Sequence, residues 1–278
     1  MVLLGTGTPR TESSRAGPAT AVIAEGVPYL FDFGPGVGAR VSRAHETGIE
    51  GMSLSNLTTA FLTHHHSDHT SGLPDLYLTS WMFQRRTPLH VYGPLGTEAM
   101  CRALVEAYAL DIAKRTFNEP HSPGGHLMVG HDIVPGNVFQ DDLVRVEGFD
   151  VPHGEWTAAH DPHPTLGFQV TSDDRCVVIS GDTTWHRAMP RLYADADVLV
   201  HEVFSSRGLA THTKEWQSYH QNSHTSAAEL GRVAADVRPG VLALTHQLLW
   251  SASTADMLDE LKSEYDGEVI YGTDLTVL

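Results

Sequence analysis

Residues 64–69 read His-His-His-Ser-Asp-His. Taken as His64-x-His66-x-Asp68-His69, they place three imidazoles and one carboxylate in a single short turn. Neutral imidazole nitrogen and carboxylate oxygen are the donors that zinc takes. Four donors this close exceed what one tetrahedral ion needs once any ligand arrives from elsewhere. The cluster therefore points to two metals side by side with a water between them, which is the arrangement of a hydrolytic centre.

A buried strand must carry that cluster, and Leu57–Thr63 (Leu-Thr-Thr-Ala-Phe-Leu-Thr) runs straight into it. Further ligands are expected where strands stop beside Gly or Pro and the side chain projects. Three positions fit. His153 follows a strand in Val151-Pro152-His153-Gly154, Asp182 follows one in Ser180-Gly181-Asp182-Thr183, and His246 ends Leu242–His246. His160 and His163 rival His153, but they sit in a Pro-rich stretch. His45, His90, His121, His126, His131, His186, His212 and His220 lack such a context and read as surface or loop residues. Gly5-Thr6-Gly7 lacks the third glycine and the lysine of a phosphate loop, so it reads as a turn.

The remaining pattern is strand-rich early and alternating later. Strands are expected at 2–4, 19–24, 28–33, 89–92, 143–151, 166–171, 175–180, 197–201, 241–245 and 269–271, with a hairpin at Glu25-Gly26-Val27. Helices are expected at 37–47, 73–84, 97–114, 225–235 and 253–263. Residues 116–137, rich in Pro, Gly and His, read as one long surface loop. No repeat or linker interrupts the chain, so 1–278 reads as a single domain.

The composition is that of a globular protein: 41% hydrophobic and 19% charged over 278 residues. A formal charge of −16 works against nonspecific binding to nucleic acid or an anionic membrane. No apolar run of membrane-spanning length is present, and Met1-Val2-Leu3-Leu4-Gly5 has no signal-peptide pattern, so the cytoplasm is the expected location, with a secreted or periplasmic one the alternative if a signal peptide was removed. Cys101 and Cys176 are far apart in sequence and read as free thiols.

The ordered set His64, His66, Asp68, His69, His153, Asp182 and His246 resembles the metallo-β-lactamase superfamily, and Gly5-Thr6-Gly7-Thr8-Pro9, Phe31-Asp32-Phe33-Gly34 and Ser180-Gly181-Asp182-Thr183 match its flanking motifs. The resemblance implies an α+β fold, a four-layer αββα sandwich. It also implies two Zn(2+) per chain, with Mn or Fe compatible with the same donors. By the same resemblance His64, His66 and His153 hold one metal, Asp68, His69 and His246 the other, and Asp182 bridges. Asp68 doubles as a catalytic residue that orients the nucleophile.

His201-Glu202-Val203-Phe204 and Ser223-His224-Thr225-Ser226 resemble the ribonuclease Z branch. There a Glu and a His form a catalytic pair, which would make His224 the proton donor and Glu202 its orienting partner. The simpler reading makes Ser223 or Thr225 a helix N-cap with His224 a bystander. Two departures argue against tRNA as substrate. His153 and Asp182 are 29 positions apart with only Arg175 basic between them, too short for a tRNA-gripping arm. Residues 8–15 also lack the lysine and asparagine of that branch's loop.

The expectation is a binuclear zinc hydrolase of small-molecule esters, phosphodiesters or aryl sulfates, similar to the zinc arylsulfatases and phosphodiesterases. A homodimer is compatible with it. The alternatives are a lactonase or other carboxylic-ester or amide hydrolase, a ribonuclease Z-type endonuclease, and a noncatalytic metal-binding module. A flavin-linked di-iron oxygen reductase would replace some histidines by acidic ligands, and His69 and His153 speak against it. Residues 73–86 and 116–137 are expected to line the pocket, with Trp81, Phe83, Trp156, Trp185 and Trp216 as candidate aromatic walls.

Overall fold

A computed structural model describes residues 1–120, 123–154 and 164–278. The chain forms two compact units, Met1–Val134 with Thr273–Leu278, and Pro135–Gly272.

The first unit is built on a seven-stranded sheet of order β14-β1-β2-β3-β4-β5-β6. Its strands are β1 (Val2–Gly5), β2 (Ala19–Ala24), β3 (Val27–Phe31), β4 (Thr59–Phe61), β5 (Leu89–Gly93), β6 (Met128–Asp132) and β14 (Thr276–Val277). The pairings from β14 to β3 are antiparallel and those from β3 to β6 parallel. Glu25 and Gly26 both take positive φ, 47° and 79°, the two-residue hairpin conformation that matches strand twist. Helices α1 (Val37–Glu46), α2 (Ser67–Thr70), α3 (Leu73–Met82), α4 (Thr97–Ala107) and α5 (Ala109–Asn118) complete the unit. Alternation sorts the sheet's side chains. Leu30, Ala60 and Val91 pack with Val37 and Val41 of α1 and Leu73, Leu76 and Tyr77 of α3. Phe31, Phe61 and Tyr92 point the other way and stack in a row.

The second unit repeats the plan in a sheet of order β13-β12-β11-β10-β9-β8-β7. Its strands are β7 (Gly136–Gln140), β8 (Arg145–Val151), β9 (Thr165–Thr171), β10 (Cys176–Ile179), β11 (Val198–Phe204), β12 (Val241–Leu248) and β13 (Val269–Tyr271). An antiparallel run from β7 to β10 gives way to parallel pairing from β10 to β13. Helices α6 (Met189–Leu192), α7 (Ser206–Leu209), α8 (Lys214–Ser223), α9 (Ala227–Val237) and α10 (Thr254–Lys262) accompany it. Leu199, Val203, Leu242 and Leu244 pack under Leu230 and Val233 of α9 and Met257 and Leu261 of α10. Capping boxes start both helices, Ser226 with Glu229 and Ser253 with Asp256.

Four sequence expectations are corrected. The single helix over 97–114 breaks at Tyr108, because the in-phase positions beyond it are Asp111, Lys114 and Arg115 rather than apolar. The segment 116–137 contains β6, which parallel pairing with β5 supplies with hydrogen bonds despite its Gly130 and Asp132. Gly130 is required there because a Cβ would meet the Glu98 backbone of α4. Helix α8 occupies a stretch that read as loop, since its residues are almost all polar. Strands β11 and β12 run three residues past His201 and Thr245. No helix among the described residues is long and apolar enough to cross a membrane.

Candidate metal centre

In the first unit, β4 delivers the chain into the cluster at 64–69. His64, Asp68 and His69 are buried and His66 is exposed. The turn is compact: His66 precedes α2 as its N-cap, and its carbonyl accepts from the His69 N–H at 3.1 Å. The His64 ring centroid lies 4.6 Å from that of His66 and 4.2 Å from that of His69. Gly34 underlies the turn, where a Cβ would overlap the Asp68 carbonyl.

Asp32, just past β3, organises these rings and was noted in the sequence only as part of a flanking motif. It is buried at φ 58°, a conformation that Asp tolerates better than most residues. Its carboxylate accepts from the Thr63 N–H at 2.8 Å, the Thr63 hydroxyl at 2.9 Å and His69 Nδ1 at 2.8 Å. A carboxylate is acceptor-only, so the Thr63 hydroxyl proton is used on Asp32. Thr63 Oγ1 must then accept from His64 Nδ1, 2.9 Å away. Both rings thus carry their proton on Nδ1 and their lone pair on Nε2, as metal-binding imidazoles with a carboxylate behind them do. His69 Nε2 lies 3.4 Å from Asp68 Oδ2. Two ligands of a tetrahedral zinc at ~2.0–2.1 Å stand about 3.4 Å apart, so this donor pair fits the ion. His65, which the motif skips, instead approaches the Leu95 carbonyl with Nε2 at 3.1 Å.

In the second unit β8, β10, β11 and β12 run in the same direction, so His153, Asp182, Glu202 and His246 gather at one sheet edge. His246 does not end its strand. In the ladder Glu202 faces Thr245 and Val203 faces Gln247, so His246 is the extra residue of a β-bulge, at φ 44°. Gln247 braces the bulge, donating from Nε2 to the Leu244 and Gly272 carbonyls at 2.7 and 2.9 Å. His246 Nε2 lies 3.5 Å from Asp182 Oδ2, again close to the separation of two ligands on one metal. Ligand atoms of His153, Asp182 and His224 lie within 4.8 Å of one another, as do those of Glu202, His224 and His246.

Helix α8 positions the rest. Its last carbonyls lie beyond the reach of intrahelical donors, and three groups from two site segments use them. Thr184 Oγ1 donates to the Gln221 carbonyl at 2.7 Å and the Gly154 N–H to that of Asn222 at 3.1 Å, while His153 Nδ1 lies 2.7 Å from that of Ser223. His224 follows as the C-cap, with Nδ1 3.3 Å from Glu202 Oε2 and 4.0 Å from Asp182 Oδ2. Neither Ser223 nor Thr225 is the N-cap of the next helix: α9 is capped by Ser226, and Thr225 bonds elsewhere. The Thr225 N–H donates to Glu202 Oε1 at 2.8 Å, and its hydroxyl to the Thr183 carbonyl at 2.6 Å.

Burial, and next the Asp182 carboxylate, hold the Glu202 carboxyl well above the usual range, while His246 and the Thr225 and Thr183 N–H groups oppose this. A carboxyl so placed against an imidazole can share a proton with it. Burial also lowers the His220 pKa to about 4, helped by His224, His212 and His246. His201 falls to about 4 by burial as well.

Other sequence readings resolve differently. Trp81 is a buried residue rather than a pocket wall; Phe83, Trp185 and Trp216 are exposed. Trp156, His121, His160 and His163 lie outside the described residues. His90 and His131 are not loop residues: they face each other across β5 and β6, Nδ1 to Nε2 at 2.9 Å. His220 lies in α8.

Two mixed sheets with their own helices, and ligand-type side chains where strands turn, define a hydrolase class. The chain belongs to the beta-lactamase superfamily, whose domain model matches residues 28–247, and it has the α+β metallo-β-lactamase fold. It is 31% identical to ribonuclease Z of Mycobacterium sp. (strain KMS), over 99% of this chain and 94% of that protein. Among solved structures, the metallo-beta-lactamase fold protein YhfI from Bacillus subtilis superposes with a TM-score of 0.75 at 17% identity, covering 99% of this chain and 96% of that one. Human tRNase Z, short form, follows at 0.71 and 22%, covering 99% and 97%. These matches weaken the argument from a missing arm. The mycobacterial alignment spans 279 positions against 99% of a 278-residue chain, which leaves that ribonuclease Z room for only a few extra residues within the aligned region.

Proposed function

We propose that this protein is a metal-dependent phosphodiester hydrolase of the ribonuclease Z type, acting on RNA 3′ ends. The observation that supports it best is the His224–Glu202 pair, 3.3 Å apart and buried. The fold's metal chemistry alone does not need that pair, whereas phosphodiester cleavage needs a proton for the leaving oxygen. The curated relatives named ribonuclease Z support the same reading over nearly the whole chain.

Following the family pattern, His64, His66 and His153 would hold one metal, Asp68, His69 and His246 a second, and Asp182 would bridge. Zinc suits these donors, and when bound it supplies Lewis acidity and lowers the pKa of water. The chain's own residues do the rest. Asp32 and Thr63 hold the His64 and His69 rings in the liganding tautomer. Asp68 accepts from the attacking water and orients it. His224 delivers a proton to the leaving oxygen, and Glu202 holds that ring and restores its proton.

The charge of −16 favours a second reading, hydrolysis of small phosphodiesters or aryl sulfates, because a polyanion is repelled. A panel of pre-tRNA with a 3′ trailer, bis-nitrophenyl phosphate, nitrophenyl sulfate, a lactone and a cephalosporin decides between them. Trailer removal at the 3′ end is expected. Turnover of nitrophenyl esters without any RNA cleavage would support the second reading instead. Lactone or cephalosporin turnover alone would refute both.

A further inference from the structure

Leading up to His224, one face of α8 has no part in the chemistry above. Trp216 and His220 fall at i and i+4 on that face, and His224 follows them as the C-cap. Their rings follow one another: Trp216 stacks on His220 at 5.7 Å and 25°, and His220 lies 5.6 Å from His224 at 33°. Trp250 backs His220 at 4.7 Å, and Tyr219 meets the Trp216 ring edge-on at 5.6 Å and 90°. The indole is therefore held from one side and along an edge, yet Trp216 is 54% exposed and Tyr219 42%.

The surroundings narrow what that open ring receives. The other exposed side chains of α8 are polar or charged, among them Lys214, Glu215 and Ser218, so the helix itself gives the open rings no apolar border. A chain of charge −16 is poorly suited to hold a polyanion by charge. Stacking needs no charge, and it tolerates any sequence because every base has a π face. Trp216 is two ring-to-ring steps of 5.7 and 5.6 Å from His224, the span of about three stacked nucleotides at ~3.4 Å each.

We infer that Trp216, steadied by Tyr219 and His220, is a stacking platform for a nucleobase of single-stranded substrate near the scissile phosphate, a positioning residue rather than a reader of base identity. The identity of the ligand rests on the phosphodiesterase reading above, but the platform has its own readout. A neutral, hydrolysis-resistant single-stranded methylphosphonate oligonucleotide is titrated into the zinc-loaded full chain, with tryptophan emission followed, beside an otherwise identical abasic strand. The base-bearing strand quenches emission and binds; the abasic strand does not. Trp216→Ala removes the Trp216 part of the quenching and weakens binding about 5- to 150-fold, the range that one stacked base contributes. Trp216→Phe retains most of the affinity.

Equal binding of the two strands, or unchanged affinity in a folded Trp216→Ala variant, overturns the inference. So does a change of oligomeric state in that variant without a change in oligonucleotide affinity, which would assign the ring to a protein contact. If the parent binds the base-bearing strand selectively but cleaves no RNA, the ribonuclease reading fails and the platform stands.

Discussion

Replacing Asp32 by asparagine alters one buried carboxylate and reaches two histidines. The side chain keeps its size, and Asn tolerates the φ of 58° at this position. The new amide oxygen can still accept from the Thr63 N–H, but its NH2 group then faces the Thr63 hydroxyl and His69 Nδ1, both donors in the parent. Thr63 must turn its proton towards His64 Nδ1, and His69 Nδ1 must accept. Both rings are driven to carry their proton on Nε2, the nitrogen needed for metal. Loss of one partner behind a metal-binding histidine lowers affinity ~10- to 100-fold; His64 and His69 are assigned to different metals, so each ion should lose that much, or about 1.4–2.7 kcal/mol. The same scale follows from one hydrogen bond to a charged acceptor, ~1.5–3 kcal/mol. Competition of the protein with a chromophoric zinc chelator measures this directly. Thr63→Val, which breaks only the relay to His64, should lose ~10- to 100-fold, and Thr63→Ser little. An Asp32→Asn protein that is folded by circular dichroism and binds zinc within about threefold of the parent would refute the tautomer relay.

Three further outcomes are expected. His224→Ala should slow substrates with ribose or alkyl leaving groups by ~10²-fold or more, the usual worth of a general acid, and nitrophenyl esters far less; equal losses would remove it as proton donor. His201 is buried with its pKa lowered from 6.5 to about 4. The unfolded chain therefore binds more protons below pH 6.5, and the stability held by the neutral ring declines as pH falls from 6.5 to about 4, by about 2 kcal/mol at pH 5. Denaturant curves at pH 7 and pH 5 should show that loss relative to His201→Gln; parallel behaviour of the two proteins would contradict it. Burial pushes the Cys101 thiol up to about 12, whereas Cys176 is half-buried. Ellman's reagent should reach Cys176 alone in the native protein and both cysteines in denaturant; fast reaction of both natively would sink this.

Side chains that coordinate metal have few substitutes, and that made much of the candidate site readable. His-x-His-x-Asp-His needs no tertiary context to be noticed; Asp182 follows an apolar run that stops at a turn, and His246 follows one that continues through a bulge. Asp32 escaped notice because its task is to satisfy Thr63 and His69, 31 and 37 positions away, and a lone aspartate after a strand is also an ordinary turn residue. The bulge at His246 was hidden for a related reason. It is a mismatch between β11 and β12, and neither strand alone encodes it. Helix α8 has almost no apolar stripe, so periodicity was silent there, although its N-cap Thr213 was a usable signal. Strand β6 depends on its neighbour β5 for every ladder bond, a context that local propensity does not contain.

The end of α8 makes one region of the second unit a thermal weak point. Of its ten residues only Ser223 is buried, so few apolar contacts hold this helix in place. Segments of that kind open at a fraction of the free energy of global unfolding. When the last turn frays, Thr184, Gly154 and His153 lose their acceptors together, while β10, β11 and β12 stay paired. Warming would then release His153, a proposed ligand, before either sheet melts. Activity would fade below the melting temperature and return on cooling, with a helix of polar residues acting as the fuse.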